Sequence, residues 1–285
     1  MVLSTVMDWE REFLFTDRDF SILRKLANQH TGINLSDGKK ELVYSRLTRR
    51  LRKLNLISFK SYCQLLLSNP KSDELVHFIN AITTNLTSFY REQHHFDFLR
   101  RILLPSLASR QASNPRIRFW SAGCSTGEEA YSLAMCIKES ISASHNIDVK
   151  ILATDLDSAV LDQASKGIYS HEKLKNILPQ YHKKWFLKGN SLNAGFVQIK
   201  PELQKLIIFR QLNLMHDWPM KGPFDGIFCR NVIIYFDKPT QKLLIDRFAN
   251  ILSNGGYLFL GHSESLFKVS KRFSLVGQTI YQKIQ

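Results

Sequence analysis

Two patterns of apolar positions divide the chain. Up to about residue 92, apolar side chains recur every three or four positions, which predicts amphipathic helices over residues 17–30, 58–67 and 72–81. A longer helix is expected after Ser36, a possible N-cap, with an apolar stripe formed by Val43, Leu47, Leu51 and Leu54. Residues 1–92 are therefore predicted to form an all-α N-terminal domain.

From residue 93 onward, β-rich runs alternate with helical stretches. Strands are expected at 117–120, 149–153, 224–228 and 257–260, with helices at 158–164 and 240–252. Such alternation favours an α/β domain with a mostly parallel sheet, here residues 93–285. The alternation breaks between residues 166 and 209, where Phe196-Val197-Gln198-Ile199 predicts a small inserted β-subdomain at about 167–209; the alternative is a solvated connector.

Composition and charge narrow the function classes. The chain of 285 residues is 44% hydrophobic and 22% charged, with no apolar run near the ~18 residues that cross a bilayer. Its start lacks the pattern of a secretory signal, and its four cysteines form no CxxC pair, so a reduced, cytoplasmic protein is expected. The net charge of +14 predicts an acidic partner, and residues 36–60 and 166–209 carry +6 each.

A strand that runs into a glycine-bearing turn and a helix gives the main chemical signal. Residues 118–130 read RFWSAGCSTGEEA, which matches neither GxGxxG nor a P-loop. Glu128 and Glu129 suit the helix dipole but would repel a pyrophosphate. A ligand with a ribose and cationic groups fits better, and S-adenosyl-L-methionine has both. The alternative is an ordinary glycine turn followed by two capping acids.

Two further strand ends carry residues typical of a ligand site. Asp155, at the tip of the second predicted strand, is placed to accept ribose hydroxyls, whereas Asp157 could equally be a helix N-cap. The fourth strand runs to Arg230-Asn231 at its carboxyl end, where open α/β sheets place their sites.

Short motifs along nearly the whole chain add a resemblance. They are NLTSFYRE (85–92), HHF (94–96), SAGCSTGEE (121–129), ATDLD (153–157), GIY (167–169), LNL (212–214), GPFD (222–225), FCRNVIIYF (228–236) and GHSE (261–264). In this order they resemble the chemotaxis receptor methyltransferase family, CheR. The resemblance implies a helical N-terminal domain and a Rossmann-like S-adenosyl-L-methionine-dependent methyltransferase domain with an inserted β-subdomain.

The resemblance also implies roles for particular residues. Cofactor contacts are expected at Asn85, Thr87, Arg91, Glu129, Asp155, Asn213, Leu214, Arg230 and Asn231. Arg91 and Tyr235 are expected to border the transfer site as catalytic residues. The sequence alone does not decide whether Glu128 or Glu129 faces the cofactor, and Glu129 is preferred.

The implied substrate is a set of glutamate side chains on the coiled-coil cytoplasmic region of chemoreceptors. They become γ-glutamyl methyl esters, and S-adenosyl-L-homocysteine is released. One face of the long predicted helix is basic, and the resemblance makes it the expected receptor-docking surface: Arg46, Arg49, Arg50 and Lys53. The alternative is that this face is only solvated. Some members hold a receptor tail peptide on the insert, but Ser191 stands where glycine is expected and Gln198 where a basic residue would help, so tail binding is left open.

Other functions remain as alternatives. A nucleic-acid methyltransferase would suit the positive charge, but such enzymes usually carry an Asp/Asn-Pro-Pro-aromatic turn where this chain has Arg230-Asn231-Val232-Ile233. A non-catalytic receptor-docking adaptor is the other alternative. No metal site is expected, because His94 and His95 would point about 100° apart on a helix. A monomer is expected, since no apolar surface stripe is left unexplained.

Overall fold

The computed structural model describes residues 11–69, 72–110, 115–141 and 146–284. The chain divides into two compact units, one ending at Thr84 and the other beginning at Asn85, whereas the sequence suggested a division after residue 92. Among the described residues, no helix is both long enough and apolar enough to cross a membrane.

The first unit is helical. Its α-helices are α1 (Asp17–Thr31), α2 (Lys40–Lys53), α3 (Phe59–Ser68) and α4 (Asp73–Ile82). α1 begins at a capping box between Thr16 and Asp19 and ends at Gly32, whose φ of 76° is left-handed. The predicted N-cap Ser36 was wrong, because it precedes a 3₁₀ turn, makes no capping side-chain hydrogen bond, and α2 begins only at Lys40.

The second unit is an α/β domain. In chain order its elements are α5 (Gln93–Phe98), a π-helical turn (Leu99–Leu103), α6 (Leu104–Ala108), β1 (Arg116–Ala122), α7 (Glu128–Ser140), β2 (Asp148–Asp155), α8 (Ser158–Lys166), β3 (Ile168–Ser170), α9 (Pro179–Trp185), β4 (Phe186–Lys188), β5 (Phe196–Ile199), α10 (Pro201–Gln204), β6 (Ile207–Gln211), β7 (Phe224–Cys229), α11 (Lys238–Ile251), β8 (Leu252–Leu260), β9 (Phe273–Gly277) and β10 (Ile280–Lys283).

The described strands of the main sheet lie in the order β6-β2-β1-β7-β8-β10-β9. β6, β2, β1, β7 and β8 pair in parallel, and β10 is antiparallel to both β8 and β9. Every residue of β7 is buried, as expected for a parallel strand covered on both faces. The parallel strands end at one edge of the sheet, so the loops that follow them lie at one side of the domain.

The insert between α8 and β6 is a separate antiparallel sheet, with described strands in the order β3-β5-β4. Val197 and Ile199 of β5 are buried, whereas Phe196 and Gln198 are exposed, so the strand alternates as its sequence predicted. The predicted fold class is confirmed: an all-α unit precedes an α/β domain that carries a small inserted β-subdomain.

Candidate active site

The turn between β1 and α7 follows a tight, left-handed path. Gly123, Ser125 and Gly127 have φ values of 83°, 50° and 92°, and the N–H of Gly123 donates to the Thr154 carbonyl at 2.8 Å. A Cβ on Gly127 would lie 2.9 Å from the Cβ of Ala164. Positive φ and close approach together require glycine there. The turn thus brings the start of α7 against the carboxyl end of β2.

Asp155 is buried at the carboxyl end of β2. Its carboxylate accepts the backbone N–H of Ser125 at 2.8 Å and that of Asp157 at 3.0 Å. Asp157 caps α8, and its Oδ2 accepts Nδ2 of Asn85 at 2.8 Å. The Ser125 hydroxyl also donates to the Asn85 carbonyl at 2.9 Å. The structure therefore brings Asn85 and Asp155 to the same turn, and it gives Asp157 the N-cap role.

The two glutamates that open α7 have different surroundings. Glu128 is fully buried and pairs with Lys173 of the insert. Glu129 accepts the Ser121 hydroxyl at 2.6 Å and Nη1 of Arg230 at 3.1 Å. Of the two, Glu129 is the one that contacts another predicted cofactor residue.

Arg230 is buried directly after β7 and joins two carboxylates. In addition to the contact of Arg230 with Glu129, its Nη2 donates to the Arg91 carbonyl and lies 3.2 Å from Oε2 of Glu92. Oε1 of Glu92 accepts the His262 backbone N–H at 3.1 Å and contacts its Nδ1 at 2.9 Å. Burial alone would raise the pKa of Glu92, but Arg230 and the His262 hydrogen bonds outweigh it and lower that pKa to about 2. Ionised Glu92 therefore compensates the buried charge of Arg230.

The loop between β7 and α11 carries Asn231 and Tyr235, both half-buried. Asn231 has a φ of 58°, and Tyr235 lies in a 3₁₀ turn, with its N–H donating to the Val232 carbonyl at 3.2 Å. Arg91 donates to the Leu86 carbonyl at 3.0 Å. Within the described part of the chain no hydrogen bond joins the side chains of Arg91 and Tyr235.

The remaining predicted contacts lie in neighbouring loops. Asn213 and Leu214 follow the carboxyl end of β6, where Oδ1 of Asn213 accepts the Met215 N–H at 2.9 Å and Leu214 is buried. The N–H of Leu212 donates to the Asp155 carbonyl at 2.9 Å, which ties this loop to the end of β2. Thr87 is half-buried between Asn85 and Arg91 in sequence.

The basic face of α2, in the first unit, is used unevenly. Nη1 of Arg46 donates to the carbonyls of Ile82 and Thr83 at the end of α4, at 3.0 and 2.6 Å. Arg50 forms an ion pair with buried Glu74. Arg49 and Lys53 are exposed. Two of the four predicted docking residues thus serve the helical unit itself, and Arg49 and Lys53 present their charge to solvent.

Several polar residues of the site were missed by the sequence argument. Glu92, Glu264 and Ser121 contact predicted site residues or their backbone, and His262 contacts Glu92. Glu92 and the GHSE segment already stood within the quoted motifs, but only the fold places them beside Arg230. Their position within the family motifs was therefore the one feature of the sequence that could have indicated these residues, because no hydrophobic periodicity marks them.

The ligand atoms of Glu92, His94 and His95 lie within 4.8 Å of one another, closer than expected for neighbouring helix positions. Both Nε2 atoms contact the Gln278 carbonyl, at 3.1 and 3.3 Å, and the Arg230 guanidinium is 3.2 Å from Glu92. A nearby guanidinium repels a second cation, so this geometry does not favour a metal ion.

Comparison with known proteins identifies the family. The model described as CheR methyltransferase, SAM binding domain, matches residues 85–282, and the one described as CheR methyltransferase, all-alpha domain, matches residues 18–83. The chain belongs to the CheR methyltransferase family. The resemblance drawn from the motifs is confirmed, as is the expectation of an S-adenosyl-L-methionine-dependent methyltransferase.

Relatives in the CheR family match over nearly full length. Chemotaxis protein methyltransferase 2 of Pseudomonas aeruginosa is 46% identical over 273 residues, covering 95% of each chain. Chemotaxis protein methyltransferase of Escherichia coli is 43% identical over 279 residues, covering 98% of this chain and 95% of its own. Among solved structures, the DszA carbon methyltransferase covers 86% of this chain and 52% of its own at 13% identity, with a TM-score of 0.38.

The acidic groups of the site fit the family's cofactor. Burial raises the pKa of both Asp155 and Glu129, and the protein's own donors offset this only in part. Hydroxyl donors at Asp155 and a cationic group at Glu129 would supply the missing stabilisation. S-adenosyl-L-methionine offers a ribose diol and an ammonium group, so the donor set and the charge both suit it.

Proposed function

We propose that this protein methylates glutamate side chains of chemoreceptors, forming γ-glutamyl methyl esters and releasing S-adenosyl-L-homocysteine. The observation that carries the proposal is the match of both units to CheR models, with near full-length relatives named chemotaxis protein methyltransferases. The family assignment does not favour a nucleic-acid methyltransferase. The intact acidic cluster at Asp155 and Glu129 argues against a non-catalytic adaptor.

In this proposal the cofactor lies along the carboxyl ends of β1, β2, β6 and β7. Asp155 accepts the ribose hydroxyls, and Glu129 faces the ammonium group. Further contacts come from the loops around these acids, at Asn85, Thr87, Arg91, Asn213, Leu214, Arg230 and Asn231. When bound, S-adenosyl-L-methionine supplies a methyl group on a positively charged sulfur.

The protein's part in the chemistry is mainly alignment. A glutamate side chain has a pKa near ~4.3, so at neutral pH it is already an ionised nucleophile and needs no general base. What remains is to hold that carboxylate about 3 Å from the methyl carbon in a partly dry site. We assign Arg91 to hold the acceptor carboxylate or the cofactor's own carboxylate, and Tyr235 to wall and orient the site.

Receptor recognition would use the exposed charges of α2 and the insert. Arg49 and Lys53 suit an acidic receptor bundle, whereas Arg46 and Arg50 support that face from within. Edge strands β3 and β4 offer a place for a receptor tail peptide by strand addition. Ser191, at a φ of 46°, occupies a conformation that favours glycine. We expect a cytoplasmic monomer.

The test uses methyl-labelled S-adenosyl-L-methionine, the purified protein and membranes that contain chemoreceptors from the same cell. After separation, the labelled receptor band is treated with alkali, and volatile label is counted. Release as methanol supports a carboxyl methyl ester. Label that survives alkali points to N- or C-methylation, and no label despite cofactor binding by calorimetry favours the adaptor.

A further inference from the structure

Glu264, four residues after β8, has an unusual set of partners. The residue is only 4% exposed. Oε2 accepts the backbone N–H groups of Gly261 and Asn231 at 2.6 and 2.8 Å, and Oε1 accepts those of Val232 and Ile234 at 2.9 and 3.2 Å. All four of these donors are backbone N–H groups, and three of them belong to the loop between β7 and α11.

That loop needs an anchor of this kind. Asn231 has left-handed φ, and its N–H, like those of Val232 and Ile234, points to Glu264. A buried N–H group that is left without an acceptor destabilises the conformation in which it is unpaired. The segment that carries Gly261 and the β7–α11 loop also approach closely, because a Cβ at Gly261 would lie 2.8 Å from the backbone nitrogen of Asn231.

The same segment reaches the other side of the site. His262, two residues before Glu264, contacts Glu92 through its backbone N–H and its ring, and Glu92 lies beside Arg230. Residues 261–264 therefore contact both the loop that carries Tyr235 and the segment that carries Arg91. No role for these residues followed from the cofactor assignment.

We propose that Glu264 is a positioning residue for methyl transfer, fixing the backbone of residues 231–234 and through it the side chains of Asn231 and Tyr235. The transfer part of the inference rests on the proposed function. A misplacement of about 1 Å can slow an aligned group transfer about 100-fold, so loosening this loop reduces turnover even where the domain stays folded.

The test compares Glu264→Gln with Asp225→Asn. The glutamine amide keeps the shape but has one acceptor oxygen, so two of the N–H groups would face an NH₂. Asp225 is a matched control: it is another buried carboxylate, near the opposite end of β7, where it accepts the Arg118 N–H and pairs with Arg110. Thermal midpoint, kcat and KM for receptor methylation are measured for both variants and the parent.

We expect Glu264→Gln to lower kcat about tenfold or more, and Asp225→Asn to keep kcat within about threefold at temperatures where both are folded. If turnover in both variants simply tracks the thermal midpoint, Glu264 is only structural and the proposal fails. A Tyr235→Ala variant adds a second check, because the loss of kcat in the double variant should be smaller than the product of the two single losses. Fully multiplicative losses would show that Glu264 does not act through Tyr235 and would contradict that part of the proposal.

Binding of S-adenosyl-L-homocysteine, measured by calorimetry, separates this inference from the proposed function. If the parent protein does not methylate receptors, the proposed function fails, but Glu264→Gln should still weaken binding several-fold because Asn231 and Arg230 adjoin the loop. Unchanged binding in Glu264→Gln together with unchanged turnover overturns the positioning role.

Discussion

Arg230 shows how a single residue can join separate parts of a site. It contacts Glu129 of α7, Glu92 and the carbonyl of Arg91 while its side chain is only 2% exposed. A buried arginine is tolerated when planar, multiple hydrogen bonds and paired carboxylates replace its hydration. A lysine could not reproduce those contacts, since it presents a single point charge.

Arg91 is the residue whose removal should affect transfer most directly. Arg91→Ala is expected to reduce methyl transfer by orders of magnitude, because the cationic group that would hold a carboxylate is lost. Its own recorded partner is one carbonyl, that of Leu86, so the thermal midpoint should change little. The initial rate of label transfer and a thermal melt check both points, and near-normal turnover would contradict the assignment.

His95 makes the protein sensitive to mild acid. Burial, with the nearby charges of Arg230 and His94, lowers its pKa from 6.5 to about 3. Below pH 6.5, His95 therefore binds a proton in the unfolded chain but not in the folded chain, so the free energy of unfolding falls as the pH falls. From pH 7 to pH 5 the loss from this group is about 2 kcal/mol.

Urea unfolding at the two pH values measures this effect. His95→Asn removes the titrating group, so its free energy of unfolding should fall less steeply between pH 7 and pH 5 than that of the parent. Glu92, with a pKa lowered to about 2, adds acid sensitivity only below its unfolded value of 4.5. Parallel slopes for the parent and His95→Asn would show that His95 titrates normally.

At the scale of elements, the strand–turn–helix unit was predictable because its signal is local. The apolar, β-rich run at residues 117–120 predicted β1, the glycines predicted the turn, and the two glutamates predicted the start of α7 at Glu128. The start of α2 was not predictable from Ser36, because a 3₁₀ turn separates them. Arg230, the ion-pair partner of Glu92, and the residues of the β7–α11 loop that donate to Glu264 are 30 or more positions away in sequence, so no local pattern could reveal these contacts.

The glycine turn can be tested by adding a single methyl group. Gly127→Ala should destabilise the domain by about 2 kcal/mol or more and weaken cofactor binding, because φ is 92° and the new Cβ would crowd Ala164. Gly195→Ala is the matched control, with a φ of 86° and open space around it. Urea unfolding and calorimetry measure both effects; equal losses in the two variants would mean that crowding at Gly127 contributes nothing.

At the scale of the whole molecule, the sequence located the positive charge but not its use. The stripe on α2 was predicted as one surface, yet Arg46 binds carbonyls of α4 and Arg50 compensates buried Glu74. Long basic side chains reach neighbours that helical periodicity cannot specify. Arg49 and Lys53 are exposed, and their docking role stays a prediction.

Charge reversal separates these two uses of the basic face. The double variant Arg49→Glu/Lys53→Glu should raise KM for receptor membranes about tenfold and weaken its salt dependence, with cofactor binding unchanged. Lys25→Glu/Lys60→Glu is the matched control, because both lysines are exposed on α1 and α3 and the change in net charge is the same. Equal effects of the two double variants would indicate attraction by net charge and no defined docking face.

β10 follows every other described strand in sequence, yet it lies between β8 and β9 in the sheet. Its hairpin also supplies Gln278 and Thr279, which contact the buried ring of His95 at 3.3 and 3.1 Å. Because synthesis is directional, a nascent chain stalled before residue 273 already holds every residue assigned to the cofactor but leaves β8 as an open edge. Such an edge invites pairing with other chains. A chain stalled at this point is therefore expected to aggregate or to be degraded before it can act as an enzyme.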